Sequence, residues 1–453
     1  MASHARRMTE GSIPRHIISF ALPLFFGNLF QQLYNVVDSL VVGNFLGSEA
    51  LAAVGSSANM IFLMTGLFHG VFIGAGVVVS RYYGARDQEN LSLAVHTTVA
   101  FGIIAGLLLT VGGITLAPVI LRWMGTPDSV LPLSISYFRV YFCGALASVL
   151  YSTFNGIFNA VGDSKHPLYY LIISSLLNVV LDLLFVGGFG WGVSGAAFAT
   201  VLSQATSAML GLIRLIRVQD VFRLTPRRIR LNLSMLRQIL HMGVPAGIQN
   251  SITSLANLVV QSHINAFGAL AMAGCGAYSK IEGFAFLPIT SFSMATTTFV
   301  GQNLGAEKHA RARKGAAFGV LSCVILAELI GIGIYTFSPV LISFFDRNPE
   351  VIAFGVSQAR TVTLFYFLLA ISHGIAGVLR GAGRSIIPMF VMMICWCLIR
   401  VSYIVVATPI IGTIQSIFWA YPLTWSLSSI CFLTYFFKAD WVHAYSKSNI
   451  ART

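Results

Sequence analysis

The sequence predicts an all-α integral membrane protein with twelve transmembrane helices in two homologous six-helix bundles. Three observations carry this. Of the 453 residues only 9% are charged and 56% are hydrophobic, and the mean hydropathy is +0.80, whereas a soluble domain carries about 25% charged residues. Apolar runs of about 20 residues or more, enough to cross a bilayer, recur along the whole chain. The second half of the chain repeats the first in one register.

The apolar runs fall at 16–46, 51–80, 92–119, 132–161, 166–187, 193–216, 237–267, 270–302, 315–342, 352–380, 386–408 and 412–437. Several exceed the minimum span, so tilt or bending is expected. Pro23 lies within the first and invites a bend there, because proline removes a backbone hydrogen bond. Most of the 28 basic residues lie at the termini and in the even-numbered loops, among them Arg6, Arg81, Arg86, Lys165, Arg311, Arg384, Lys447 and Arg452. The positive-inside rule then places both termini in the cytoplasm, in the cell inner (plasma) membrane. The densest basic run, 214–236, reads as a cytoplasmic linker between an N-terminal lobe, 1–213, and a C-terminal lobe, 237–453. Contact of that run with anionic lipid is the other reading. The net charge of +13 therefore marks topology and not a nucleic-acid partner. The six cysteines form no CxxC pair and lie in apolar runs, where cysteine behaves as a small hydrophobe. The polar N-terminus leads straight into a long span, so no cleaved signal peptide is expected.

Shifted by 221 positions, the halves align: "GSEALAAVG" (47–55) meets "GALAMAGCG" (268–276), "YYGARD" (82–87) meets "NLGAEK" (303–308), and "NGIFNAVGDSKHP" (155–167) meets "AGVLRGAGRSIIP" (376–388). Each half holds an even number of spans, so the second enters the membrane from the same side as the first. The plan is that of a secondary transporter, with halves related by an axis along the membrane normal, a central cleft, and alternating access.

Charges inside spans are rare and usually functional. Asp38, in "LYNVVDSLVVG", and Asp182, in "LLNVVLDLLFVGG", are two such charges in the first half. Neutral polar residues accompany them at helical spacing: Gln31 and Tyr34 with Asp38, Asn178 with Asp182, then Ser152, Asn155 and Asn159, and Thr200, Gln204 and Ser207. Such oxygens can hold a proton or a sodium ion. For the neutral residues alone, helix–helix hydrogen bonding explains them equally well; the two carboxylates favour a cation site. In the second half Asp182 meets Tyr403, and span 7 carries a neutral stripe, Gln249, Thr253, Asn257 and Gln261. Glu282 is the main acid there, and it reads either as cleft lining or as a structural charge. His373 reads as a packing residue. "GWGVSG" (190–195) fits a dinucleotide fingerprint but falls in a predicted external loop. The sequence shows neither a metal-ligand cluster nor a nucleophile with an adjacent base, so no enzyme and no cofactor is expected.

Over essentially its whole length the chain resembles the MATE family of multidrug and toxic compound extrusion transporters, of the MOP superfamily, in its DinF-like prokaryotic branch. The carrying stretches are Pro23 with "QQLYNVVDSLVVGNFLG", "NGIFNAVGD", "NVVLD", "GVSGAAFAT", "GVPAGIQNS", "GQNLGA" and "LRGAGRSIIP". The resemblance implies efflux of amphipathic, often cationic, small-molecule drugs in exchange for protons or sodium ions. It places a cation-coupling site on Asp38, Asn178, Asp182 and Thr200, the same four holding the metal if sodium is the coupling ion. Gln31, Tyr34 and Asn155 match neighbouring pocket positions, with Glu282 as a further candidate, and Pro23 is the helix-bending residue. Ser152 stands where some relatives have asparagine. The second lobe lacks the acid that another branch uses in span 7, which favours coupling through the first. The expected partners are drugs or organic cations and the lipid bilayer, and the expected state is a monomer. A flippase for lipid-linked saccharides is the alternative of the same superfamily, and Arg400, inside span 11, is the residue that supports it.

Overall fold

The structure, a computed structural model, describes residues 7–123, 126 and 128–443; in the first helix the side chains of 48, 49, 51, 52, 55, 56, 58–60, 62 and 63 are left aside. Arg6, Lys447 and Arg452, used above for orientation, lie outside the described residues, and in the repeat block at 47–55 the side chains of 48, 49, 51, 52 and 55 are among those left aside. Every regular element among the described residues is helical. In chain order the helices are α1 (Ile13–Gly84), α2 (Gln88–Trp123), α3 (Leu131–Cys143), α4 (Ala145–Ala160), α5 (Lys165–Asp182), α6 (Gly192–Arg217), α7 (Leu233–Asn265), α8 (Ala269–Gly305), α9 (His309–Ser343), α10 (Pro349–Val362), α11 (Tyr366–Gly381), α12 (Ile386–Met392), α13 (Arg400–Ile411) and α14 (Gln415–Lys438).

These helices make the twelve spans. α1 breaks at Gly47 into two, α3 and α4 form one span bent by 51°, α10 runs into α11 as Pro349–Gly381, and α12 into α13 as Ile386–Ile411. Ten spans are long and apolar enough to cross a membrane, and the bent pair is an eleventh. The twelfth is α7, whose 33 residues suffice in length. Its stripe of Gln249, Thr253, Asn257 and Gln261 lowers its apolar character, and the helix owes its place to its neighbours as much as to lipid.

The duplication read from the sequence reappears in the backbone. Gly47 breaks α1 with φ 84° and ψ −174°, and Gly268, 221 positions later, precedes α8 with φ 98° and ψ 174°. Only glycine adopts that conformation without strain. Arg86 and Glu307, again 221 apart, are the two non-glycine residues with positive φ among the described residues, at 58° and 59°.

By their contacts the residues form two compact units. The first comprises Met1–Arg7 and Phe26–Gly247, the second Met8–Phe25 and Ile248–Thr453. The basic run 214–236 thus lies within the first unit, while the start of α1 lies within the second. α1 passes from one unit to the other three residues after Pro23, and α7 does so three residues after Pro245. Side-chain packing explains both exchanges. Met8, Ile17, Phe20 and Ala21 are buried in the second unit's core with Ala295, Phe299 and Val300. There Met8 N donates to Gln302 Oε1 at 2.9 Å, and Arg311 donates to the carbonyls of Met8, Glu10 and Gly11. In the first unit the run after α6 is tied back to α2: Thr225 N donates to His96 Nε2 (3.0 Å) and Asn232 N to Thr97 Oγ1 (3.4 Å).

The first part of α7 lies directly on α1 within the first unit, because both helices present glycine. A Cβ added at Gly70 would fall 2.0 Å from Gly247 N, and one at Gly74 would fall 2.3 Å from Gly243 N. These neighbours are backbone and have no rotamer with which to yield. Gly70→Ala and Gly74→Ala are therefore expected to cost about 1–3 kcal/mol or more through overpacking. Gly112→Ala, at a position with open space around it, should be silent. Thermal unfolding of the purified variants, followed by monodispersity in detergent, checks the contrast.

Candidate cation and substrate site

The site grows out of an inverted amphipathic helix. On α5, Ser174, Asn178 and Asp182 recur every four residues, and all three are buried, Asn178 at 1% and Asp182 at 0% exposure. Leu176 and Val180 on the opposite face are 65% and 61% exposed. An apolar exterior around a polar seam suits a helix whose solvent is lipid. Asp182 is the last residue of α5; the backbone then widens into a π-helical turn, Leu183–Gly188. Such turns are rare and cluster at functional sites.

Three other elements bring groups to Asp182. Asp38 of α1 places its carboxyl within hydrogen-bonding reach of the Asp182 carboxyl. Two carboxyls can share such a bond only when one carries a proton; with both ionised, Asp38 Oδ1 and Asp182 Oδ1 are buried without a partner. With its amide oriented to satisfy both neighbours, Asn178 donates to Asp182 Oδ2 (2.6 Å) and accepts from Thr200 N of α6 (3.1 Å). Thr200 Oγ1 in turn lies 3.4 Å from the hydroxyl of Tyr34. Tyr34 and Tyr137 both lie in the field of the two carboxylates.

Asp38, Asn178, Asp182, Thr200 and Tyr34 thus form one cluster inside the first unit. Apart from the Asn178 amide nitrogen, which donates to Asp182, the groups of the cluster are hard oxygens, and two of its carboxylate oxygens lack any other partner. That chemistry fits a proton or a hard cation such as sodium. The remaining pocket candidates are less central. Gln31 donates to Asn35 of its own helix at 3.5 Å, and Asn155 bonds Tyr151 one turn away. Ser207 holds the backbone carbonyl of Tyr170, the helix-to-helix role open to it from sequence.

Glu282 lies in the second unit and so is no part of this cluster. It accepts from Tyr278 (3.3 Å), whose hydroxyl also meets that of Tyr366 (2.9 Å). Pro23 lies in the second unit as well. Glu328 accepts from Phe367 N (3.1 Å), at the start of α11, and His373 packs edge-on against Phe286 and Trp396. Sequence reading missed Tyr137 and Tyr141 of α3, although their four-residue spacing is a helical stripe. Tyr141 reaches Gln204 and Ser148.

The MatE family model matches the chain twice, over residues 23–184 and 245–406, so each match begins at one of the two crossover prolines. Among curated proteins, the probable multidrug resistance proteins YpnP and YoeA of Bacillus subtilis are 27% and 30% identical to it. The first match spans 397 residues, 87% of this chain and 88% of YpnP; the second spans 391 residues and 84% of each. Among solved structures, an outward-facing conformation of a multidrug resistance MATE family transporter of the MOP superfamily superposes over 100% of both chains, with a TM-score of 0.90 at 22% identity. Two family matches that together cover most of the chain, curated relatives along nearly its full length and a shared twelve-helix fold establish that the chain belongs to the MATE family of transporters, which are not enzymes.

Proposed function

We propose that this transporter exports amphipathic organic cations and related drugs across the cell's inner membrane by alternating access, in exchange for protons or sodium ions taken up at Asp38 and Asp182. The observation that carries the reading is the buried carboxyl pair, whose unpartnered oxygens lie beside Asn178, Thr200 and Tyr34. A structural role would call for a counter-charge, and a pair of like charges offers the reverse. Two carboxylates at bonding distance repel unless a proton or cation joins them.

In this mechanism an external cation joins the pair, and α1 relaxes relative to α5 and α6. α1 belongs to both units, with Asp38 in one and Pro23 in the other. A change at Asp38 therefore travels along roughly 20 Å of helix, at 1.5 Å per residue, to the proline where the helix can bend. Drug leaves outward as the pocket reshapes, and the cation is then released to the cytoplasm, where both termini lie. An inward elementary charge gains about 2.3 kcal/mol per 100 mV, enough for modest uphill export. The curated relatives named for multidrug resistance support drugs as cargo. The monomer suffices for this cycle, since the cation cluster lies within one unit of one chain.

Inside-out vesicles with an imposed proton or sodium gradient test the mechanism through ethidium uptake. Wild type should respond to at least one gradient, and Asp38→Asn to neither. Retained gradient-driven uptake in the variant sinks the proposal. Asp38→Asn also removes one of two facing like charges, so its thermal midpoint should equal or exceed that of wild type. Asn178→Leu acts oppositely. It strips Asp182 of its buried donor, and the thermal midpoint should fall by an amount corresponding to about 1–3 kcal/mol.

A further inference from the structure

In the first unit one arginine stands on the outer, apolar surface of a span. Arg139 of α3 is exposed, and so is Cys143 one turn further on. Across from it on α2 the exposed residues are apolar, among them Val111, Leu116 and Val119. A proline fixes where the guanidinium sits. Pro118 of α2 has no N–H, so the carbonyl of Ile114, four residues earlier, lacks its helical donor. Arg139 Nε donates to that carbonyl at 3.3 Å. The bond uses one side of the guanidinium; Nη1 and Nη2 have no acceptor among the described residues. Nor does a described carboxylate lie within ion-pair distance of Arg139. At the end of α2, beyond Pro118, Arg122 is exposed and Trp123 is 92% exposed.

Depth decides what those two groups can meet. α2 has 36 residues, roughly 54 Å at 1.5 Å per residue, against about 30 Å of hydrocarbon. Shared between its ends, the surplus is about 12 Å each. Ile114 stands nine residues before the end of α2, and Arg139 eight residues after the start of α3. Both helices therefore place the guanidinium near the edge of the hydrocarbon, where an arginine stem reaches the headgroup layer. Trp123 favours that same layer. The free edge of the guanidinium presents parallel N–H groups shaped for two oxygens of a phosphate. A dissolved phosphate ion must leave water to reach an apolar surface, whereas a lipid phosphodiester is already there. We infer that α2 and α3 hold the phosphate headgroup of a membrane lipid, with Arg139 as its ligand and Pro118 as the residue that orients Arg139. Only the leaflet rests on the proposed function: with both termini cytoplasmic it is the outer one. The binding chemistry stands whichever way the chain is inserted.

The test uses the full chain in dodecyl maltoside, a detergent without phosphate, and phosphatidylglycerol carrying a photoreactive diazirine on its headgroup. Peptide mass spectrometry locates the crosslinks. Wild type should be labelled within 111–119 and 136–143. Arg139→Gln keeps an N–H donor for the Ile114 carbonyl but loses the charge, and should lower that labelling about tenfold, the loss expected of one charge-assisted pair. Labelling beside the exposed Arg227, Arg228 and Arg230 of the basic run should persist in the variant and serves as the internal reference. Excess unlabelled phosphatidylglycerol should displace the probe from α2 and α3. Diacylglycerol with the same chains, and inorganic phosphate, should not. Undiminished labelling of a folded Arg139→Gln variant overturns the inference, as does equal displacement by diacylglycerol. Displacement by inorganic phosphate makes the occupant a dissolved anion and overturns the lipid assignment. If the variant fails to fold, the competition on wild type decides. Drug transport does not enter the readout, so a failure of the efflux reading leaves this result intact.

Discussion

A carboxylate at bilayer depth must find its compensation inside the protein, because lipid offers none. That constraint organises the first unit. Asp38 and Asp182 draw together Asn178, Thr200 and Tyr34 from three helices, and α5 turns its apolar face outward to let its polar face meet them. The network is left incomplete at one oxygen of each acid. Completing it with a basic residue would have made a static ion pair. Left open, it keeps one carboxylate oxygen of each acid without a protein partner.

The same logic accounts for where the chain departs from ideal helix. Each half holds a π-helical turn in its fifth span, beside Asp182 in one case and Arg400 in the other. An extra residue in a helical turn shifts the following side chains around the axis and frees a backbone carbonyl. Both features help to aim and solvate a charge that a regular helix would present to its own neighbours. The two halves share a backbone, down to the matched positive φ of Gly47 with Gly268 and of Arg86 with Glu307. They differ in the sign of the charge that the shared backbone carries.

Much of this is legible in the sequence, for physical reasons. Apolar runs of span length, repeated along a chain, belong to membrane proteins, because water would not tolerate them. A lone aspartate among leucines is conspicuous because it is expensive. Asp38 and Asp182 therefore stand out in the sequence, while the narrower set with Asn178 and Thr200 is what the family resemblance implies. Other features leave no such trace. Tyr137 lies in an apolar helix where an aromatic residue is ordinary. The sequence shows the α7 span and its polar stripe but not that the stripe is satisfied largely along its own helix, Thr253 to the carbonyl of Gln249 and Gln261 to Asn265. The passage of α1 and α7 between units depends on which residues pack against which, and chain order does not encode that.

That passage puts a proline close to each place where the chain changes unit. Repacking a close-packed unit is costly, since its interior transmits strain without absorbing it. A helix that belongs to two units, with a proline three residues from the crossing, offers a softer mode. Each of its two parts packs in its own unit. On α7 the packing is glycine on glycine, Gly243 and Gly247 on Gly74 and Gly70, with backbone against backbone. Such a contact holds no interdigitated side chains, and it lies wholly within the first unit. Pro23 and Pro245 thus stand at matching places, each three residues before the chain changes unit.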